Sequence, residues 1–186
     1  MGQSKIIDAF YHSCCGGATS NNEDVWKGSE PIPYLREQDD SNSQYDFCQQ
    51  SPDYEGRFKI GKRELGDILA ERLGQGQILG AFWDLKIKER APAERVKKFI
   101  VLFENKSLDI SGEEFYLMLG KSVGWHRFKS TRFFIHKIKG GYYFTGRELG
   151  HGVGLCQWGA KGRAEKGHNY KEILYHYFPN TEIERR

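Results

Sequence analysis

The sequence predicts an α+β fold: a mostly antiparallel mixed sheet with several short helices and a long irregular N-terminal loop. Three observations predict it. Segments with helical spacing are interleaved with segments rich in β-branched and aromatic residues. The strand-like segments around residues 79–110 and 132–146 are separated by short turns, which makes a meander and a hairpin. Residues 14–56 carry three of the five prolines (Pro31, Pro33, Pro52) and polar strings such as SNNED and REQDDSNSQ, without either period.

Taken in order, Lys5 to Ser13 reads as a strand, with Ile6, Ile7, Phe10 and Tyr11. The irregular 14–56 stretch contains VWKG and PYLRE, whose aromatics predict that it packs down as a loop or lobe. Lys62 to Leu73 places Leu65, Ile68, Leu69 and Leu73 on one helical face, with Gly74 as terminator. Residues 79–88 alternate as a half-buried strand. A turn follows at Arg90 to Glu94, then a central strand containing FIVLF, and a third strand at 108–110 after Asn105-Lys106. Ser111 and Glu114 form a capping box, which opens a short helix to about Leu119 closed by Gly120. Residues 132–139 and 142–146 pair around Gly140-Gly141. A glycine-rich turn, GRELGHGVG, leads to helices at 157–166 and 170–177, the second stopped by Pro179.

Composition bounds the function. The chain has 186 residues, 38% hydrophobic and 14% aromatic, enough to fill the core of one domain spanning 1–186 and to exclude global disorder. No apolar run approaches the ~18 residues of a membrane-spanning helix. Basic and acidic residues number 28 and 25, interspersed, for a net charge of +3, which argues against a nucleic-acid partner. The start, MGQSKIIDAF, lacks the pattern of a signal peptide, and Ile6 stands where a myristoylation signal wants Ser or Thr.

The densest chemical signal is Gly150-His151-Gly152-Val153-Gly154-Leu155-Cys156-Gln157-Trp158-Gly159-Ala160. Alternate glycines permit positive φ or close approach of backbone to a ligand. His151 can move a proton near neutral pH. Gln157 and Trp158 add an amide and a flat apolar face suited to a sugar. Spacing alone favours a tight strand-to-helix corner. A second cluster, Tyr11 to Thr19, juxtaposes His12 with Cys14 and Cys15, a weak thiol-nucleophile signal.

The cysteines allow three readings. A disulfide from Cys14 or Cys15 to Cys48 would close the polar loop, the three could be free thiols, and with His12 they could bind zinc. Cys156 reads as a small buried residue. Glu23, Asp24 and Glu148 are the carboxylates nearest the motifs, and none has a visibly apolar neighbourhood. The basic run Arg95-Val96-Lys97-Lys98 reads as a solvated face, and His126, His136, His168 and His176 as ordinary surface or half-buried residues.

Several pieces, in order, resemble the SpoIID/LytB family: AFYHSCCGGATSNNEDVW at 9–26, PYLRE at 33–37, Cys48-x-x-Ser51-Pro52, ISGEEF at 110–115 and GHGVGLCQWGAKGRAEKGHNYKEILYHYFPNTEI at 150–183. The resemblance covers nearly the whole chain. It implies a cell-envelope protein that remodels peptidoglycan, similar to lytic transglycosylases that cut glycan strands between N-acetylmuramic acid and N-acetylglucosamine. The alternative it implies is a non-catalytic peptidoglycan-binding or amidase-enhancer module, with a cell-wall amidase as partner. It also implies a substrate groove lined by His12, Ser13, Gly16, Gly17, Thr19, His151, Gly152, Gly154, Gln157 and Trp158.

The family's general-acid glutamate, and the zinc ligands of some members, lie upstream of the segment matching Phe10 to Thr19. The catalytic residue therefore stays unassigned, and no zinc ligand is carried onto Cys14, Cys15 or Cys48. The expectation is a fragment or a truncated homologue that keeps the glycan groove and is marginally stable alone.

Overall fold

The computed structural model describes residues 5–74 and 78–184. The chain folds as β1 (Tyr11–His12), α1 (Asn22–Val25), β2 (Gly56–Gly61), α2 (Lys62–Leu73), β3 (Phe82–Arg90), β4 (Val96–Phe103), β5 (Ser107–Ser111), α3 (Gly112–Val123), β6 (Phe133–Ile138), β7 (Gly141–Gly146), β8 (Leu155–Cys156), α4 (Gln157–Glu165) and α5 (Tyr170–Tyr177). The α+β class is as expected, but the strands form three sheets rather than one. β2-β7-β6 and β3-β4-β5 are antiparallel, and β1-β8 is a two-residue parallel pair.

The larger core lies between the two three-stranded sheets and helices α2 and α3. Period-2 alternation buries Phe58 and Ile60 from β2, and the helical stripe buries Leu65 and Leu69 from α2. Phe99 of β4 and Phe115 of α3 are fully buried with ring centroids 4.4 Å apart. Truncating Phe115 to Ala would cost about 3–5 kcal/mol.

A second core holds the irregular 14–56 lobe against the C-terminal elements. It contains Cys14, Cys15, Leu35, Cys48, Val153, Cys156, Ile173, Tyr177 and Phe178. Because the lobe has one four-residue helix and isolated bridges, its backbone is satisfied by turn hydrogen bonds and, at several amides, by side chains. Asn22 Oδ1 accepts from the Ile32 amide at 2.9 Å, and Asn21 Oδ1 from the Glu37 amide at 2.9 Å.

Two element boundaries differ from expectation. The strand expected over 5–13 is only Tyr11–His12, because its partner β8 is two residues long and begins just after Gly154, whose φ is +72°. Helix α3 does not stop at Gly120. It runs to Val123 and is capped by Gly124 at φ +97°. Gly120 lies inside the helix, and the Trp125 ring occupies the space a Cβ would need there. The Ser111–Glu114 capping box forms, and a second one joins Asn169 and Glu172 at the start of α5.

Candidate glycan groove and its buried supports

The glycine corner behaves as its spacing suggests. Gly150, Gly152 and Gly154 all have positive φ, at +115°, +76° and +72°. This zigzag brings 150–154 against the 10–20 segment: the Leu155 amide donates to the Phe10 carbonyl at 3.0 Å, and the Ser20 amide to the Gly152 carbonyl at 2.8 Å. His151 is thereby presented at the end of a groove of about 690 Å³. The lobe supplies one wall with Glu23, Asp24 and Trp26. Arg95, just before β4, and Lys97 of β4 lie opposite, α3 supplies Glu113 and Tyr116, and Ser130 and Thr131 lie alongside.

The imidazole of His151 is held, not free. Nε2 donates to the Tyr11 carbonyl at 3.0 Å, and Nδ1 accepts from the Val153 amide at 3.2 Å. Burial pushes its pKa below the ordinary value, so it is a neutral, oriented ring. Trp26, Phe10 and His12 surround it, with centroids at 5.6, 6.4 and 5.5 Å. His12 lies beneath, buried, with Nδ1 donating to the Val153 carbonyl at 3.3 Å and Nε2 unpartnered. Burial first, and then His151, push His12 down to about 3.

Under the corner sits a buried ion pair that sequence reading misassigned. Arg95, expected on a solvated face, is 3% exposed, and Glu148 is 2% exposed. Arg95 Nη2 binds Glu148 Oε1, Nη1 donates to Thr131 Oγ1 at 2.6 Å, and Nε to Ser20 Oγ at 3.2 Å. Glu148 therefore does have the desolvated setting the sequence did not reveal. Burial raises its pKa, opposed by Arg95. A Cβ on Gly152 would strike both partners, so glycine is required there for the pair as well as for φ.

Glu23 and Asp24 are likewise not simply solvated. Arg36 grips Glu23 through Nη1 at 2.7 Å and Nη2 at 2.5 Å, and its hydrogen bonds hold that carboxyl below its usual range. Lys97 Nζ lies 2.8 Å from Asp24, which also accepts from Asn21. Burial raises the Asp24 carboxyl, but these bonds prevail and its pKa is lowered. Glu114 is lowered too, by the Ser111 backbone bond of the capping box. These groove carboxylates are ionised hydrogen-bond acceptors.

Of the ten expected groove residues, His151 lines this groove. His12, Gly152 and Gly154 support it from below. Ser13 gives its carbonyl to the Trp158 amide at 3.1 Å. Gly16 lines a separate groove of about 490 Å³ with Arg132 and Arg147. Gly17 is packed against Asp46, and Thr19 is buried with Oγ1 accepting from the Gln38 amide at 2.8 Å. Gln157 is exposed on α4, and Trp158 carries Lys161 over its ring at 4.7 Å. Sequence reading did not single out Trp26, Lys97 or Tyr116 as groove residues; the aromatic VWKG segment was the available signal for Trp26.

All four cysteines are free and buried, so the loop-closing disulfide is not formed. Cys15 Sγ and Cys48 Sγ are 3.7 Å apart. Their burial also removes the thiol-nucleophile reading. The Cys48 thiol contact, and then burial, push Cys14 up; burial, and then its thiol neighbours, push Cys15 up.

No family model matches the chain. Curated relatives do. An amidase enhancer of Bacillus subtilis (strain 168) is 26% identical over 96% of this chain and 30% of its own length. An uncharacterized protein of Brachyspira hyodysenteriae is 29% identical over 97% of this chain and 44% of its own. A stage II sporulation protein D of Bacillus amyloliquefaciens is 26% identical over 97% of this chain and 46% of its own. The chain thus spans less than half the length of the curated relatives it matches. Across almost its whole length the chain is thus similar to proteins bearing both names, amidase enhancer and stage II sporulation protein D, in agreement with the resemblance to the SpoIID/LytB family carried by its motifs.

Proposed function

We propose that this chain binds peptidoglycan glycan strands at the cell envelope, in the groove between the 14–56 lobe and the β4–α3 face, as part of a wall-remodelling protein. The observation that carries the reading is the pairing of aromatic and charged groups along one open furrow. Trp26, Tyr116 and the fixed imidazole of His151 offer apolar faces for sugar rings. Asp24 and Glu23 offer acceptors for hydroxyl and N-acetyl groups, and Lys97 offers a cation for lactyl or peptide carboxylates.

Glycan cleavage of the lytic-transglycosylase type needs a carboxylic acid held protonated near the scissile oxygen. Glu23, Asp24 and Glu114 are held ionised instead, so they act in holding the strand. Glu148 has the raised pKa of an acid but lies sealed under Arg95. This favours a second reading, in which the residues described here bind glycan without cutting it, as an amidase enhancer would.

Co-sedimentation with purified insoluble peptidoglycan tests binding, and mass spectrometry of the released sugars tests cleavage. Retention at moderate salt that falls at least about tenfold in Trp26→Ala supports the groove; an aromatic platform contributes on the order of 1 kcal/mol or more. Lack of retention would refute both readings. Anhydro-muramyl products from this chain would refute the non-catalytic one.

A further inference from the structure

Away from the groove, four buried side chains converge where the lobe meets the C-terminal helices. Cys15, Asp40, Cys48 and Cys156 each place one ligating atom within 4.8 Å of the other three. Three come from the 14–56 lobe and one from the C-terminal part of the chain. Cys15 opens the lobe just after β1, Asp40 and Cys48 lie farther along it, and Cys156 is the N-cap of α4. We infer that this cluster is a structural zinc site, with Cys15, Cys48 and Cys156 as thiolate ligands and Asp40 Oδ2 as the fourth. The set of His12, Cys14, Cys15 and Cys48 that the sequence allowed for zinc is not the one the fold assembles.

Geometry supports a tetrahedral ion. Zinc–sulfur bonds of ~2.3 Å give tetrahedral sulfur–sulfur edges of about 3.8 Å, whereas a disulfide needs ~2.05 Å. Cys15 Sγ and Cys48 Sγ stand 3.7 Å apart, and Cys15 Sγ is 3.2 Å from Asp40 Oδ2. Backbone donors also converge on one of the sulfurs. Cys156 Sγ accepts from two backbone amides, Cys15 and Gly159, each at 3.2 Å, at the N-terminus of a nine-residue helix. A buried sulfur so supplied with donors is suited to carry negative charge.

Asp40 is oriented for ligation. Its Oδ1 is taken by Arg163 Nε at 2.9 Å and Tyr177 OH at 2.8 Å, which turns Oδ2 toward the sulfurs. Gly159 leaves the space that Oδ2 occupies. Binding would release the thiol protons to solvent. Three thiolates and one carboxylate around a divalent ion leave a net charge that Arg163 partly offsets. The consequence is architectural: the ion would tie a lobe with little regular structure to β8 and α4.

The test uses the full chain produced with zinc available and purified without chelator. Metal content is read by mass spectrometry, and cobalt is substituted to read coordination. One zinc per chain, and the intense visible bands of tetrahedral cobalt thiolate, are expected. Cys48→Ser and Cys156→Ser should lose metal at least about tenfold, and Asp40→Asn should weaken it by about 10–100-fold. Cys14→Ser should keep it, because Cys14 Sγ faces the Cys48 carbonyl at 3.8 Å and lies outside the cluster. Should the variants fail to fold, the wild-type protein still decides. Folded, metal-free protein with four titratable thiols, or a mass two hydrogens lighter from a Cys15–Cys48 disulfide, would overturn the site. Loss of metal in Cys14→Ser with full retention in Asp40→Asn would overturn the ligand set.

Discussion

Replacing Arg95 with Met removes the one ion-pair partner of Glu148 among the described residues and leaves a buried carboxylate behind. Three side-chain hydrogen bonds go with it, to Ser20, Thr131 and Glu148. Breaking a buried pair from one side costs about 3–5 kcal/mol. With a urea slope on the order of 2 kcal/mol/M, the midpoint should fall by about 1.5–2.5 M. The pH dependence gives a sharper signature. Glu148 already has a raised pKa in the folded chain, so the folded state holds its proton more tightly than the unfolded one. That term favours folding at low pH and is lost as pH rises through the window above the ordinary glutamate value. Without Arg95 the window widens upward. The defect of Arg95→Met should therefore shrink as pH is lowered from neutrality toward the ordinary glutamate range. The double variant Arg95→Met with Glu148→Leu should recover most of the loss at neutral pH. A loss under ~1 kcal/mol at neutral pH, or a larger one that is the same at both ends of the range, would refute the buried-pair reasoning.

Gly152→Ala should destabilise by at least about 2 kcal/mol, from a strained φ and from contact with the Arg95–Glu148 pair. Gly28→Ala, at φ +78° with open space around it, should cost only about 1–2 kcal/mol, so thermal unfolding of the two separates steric from backbone strain. His12, pushed from 6.5 to about 3 when folded, is neutral where the unfolded chain would protonate it. Its contribution is complete above pH 6.5 and is lost as pH falls from there toward 3, so its ring resonances should not titrate between neutral pH and about 4, and His12→Gln should flatten the acid limb of the stability curve. Asn169→Ala removes one side of the α5 capping box and should cost about 1 kcal/mol, visible as faster amide exchange in the first turn of α5.

What the sequence made legible was local. Leu65 and Leu69 at helical spacing gave α2 at its observed bounds, and Ser111 with Glu114 gave the start of α3. The β3-β4-β5 meander and the Gly140 hairpin followed from short connections. What stayed hidden was long-range. β1 pairs with β8 across more than 140 residues, and two-residue strands carry no period. Arg95 sits in a basic run whose composition reads as surface. Its burial depends on Glu148, 53 positions away, and on a glycine that makes room for both. Cys156 looked like filler because the sulfurs it meets are brought to it by the glycine corner. Gly120 read as a stop because sequence does not show that Trp125 folds back over it.

The proposal that this chain grips a glycan strand is tested most directly by titrating soluble, peptide-free glycan fragments while recording indole and imidazole resonances. Trp26 and His151 should shift together and saturably, while Trp83, 71% exposed outside the groove, stays fixed. Unmoved Trp26 and His151 signals, or shifts centred on Trp83, would contradict the account.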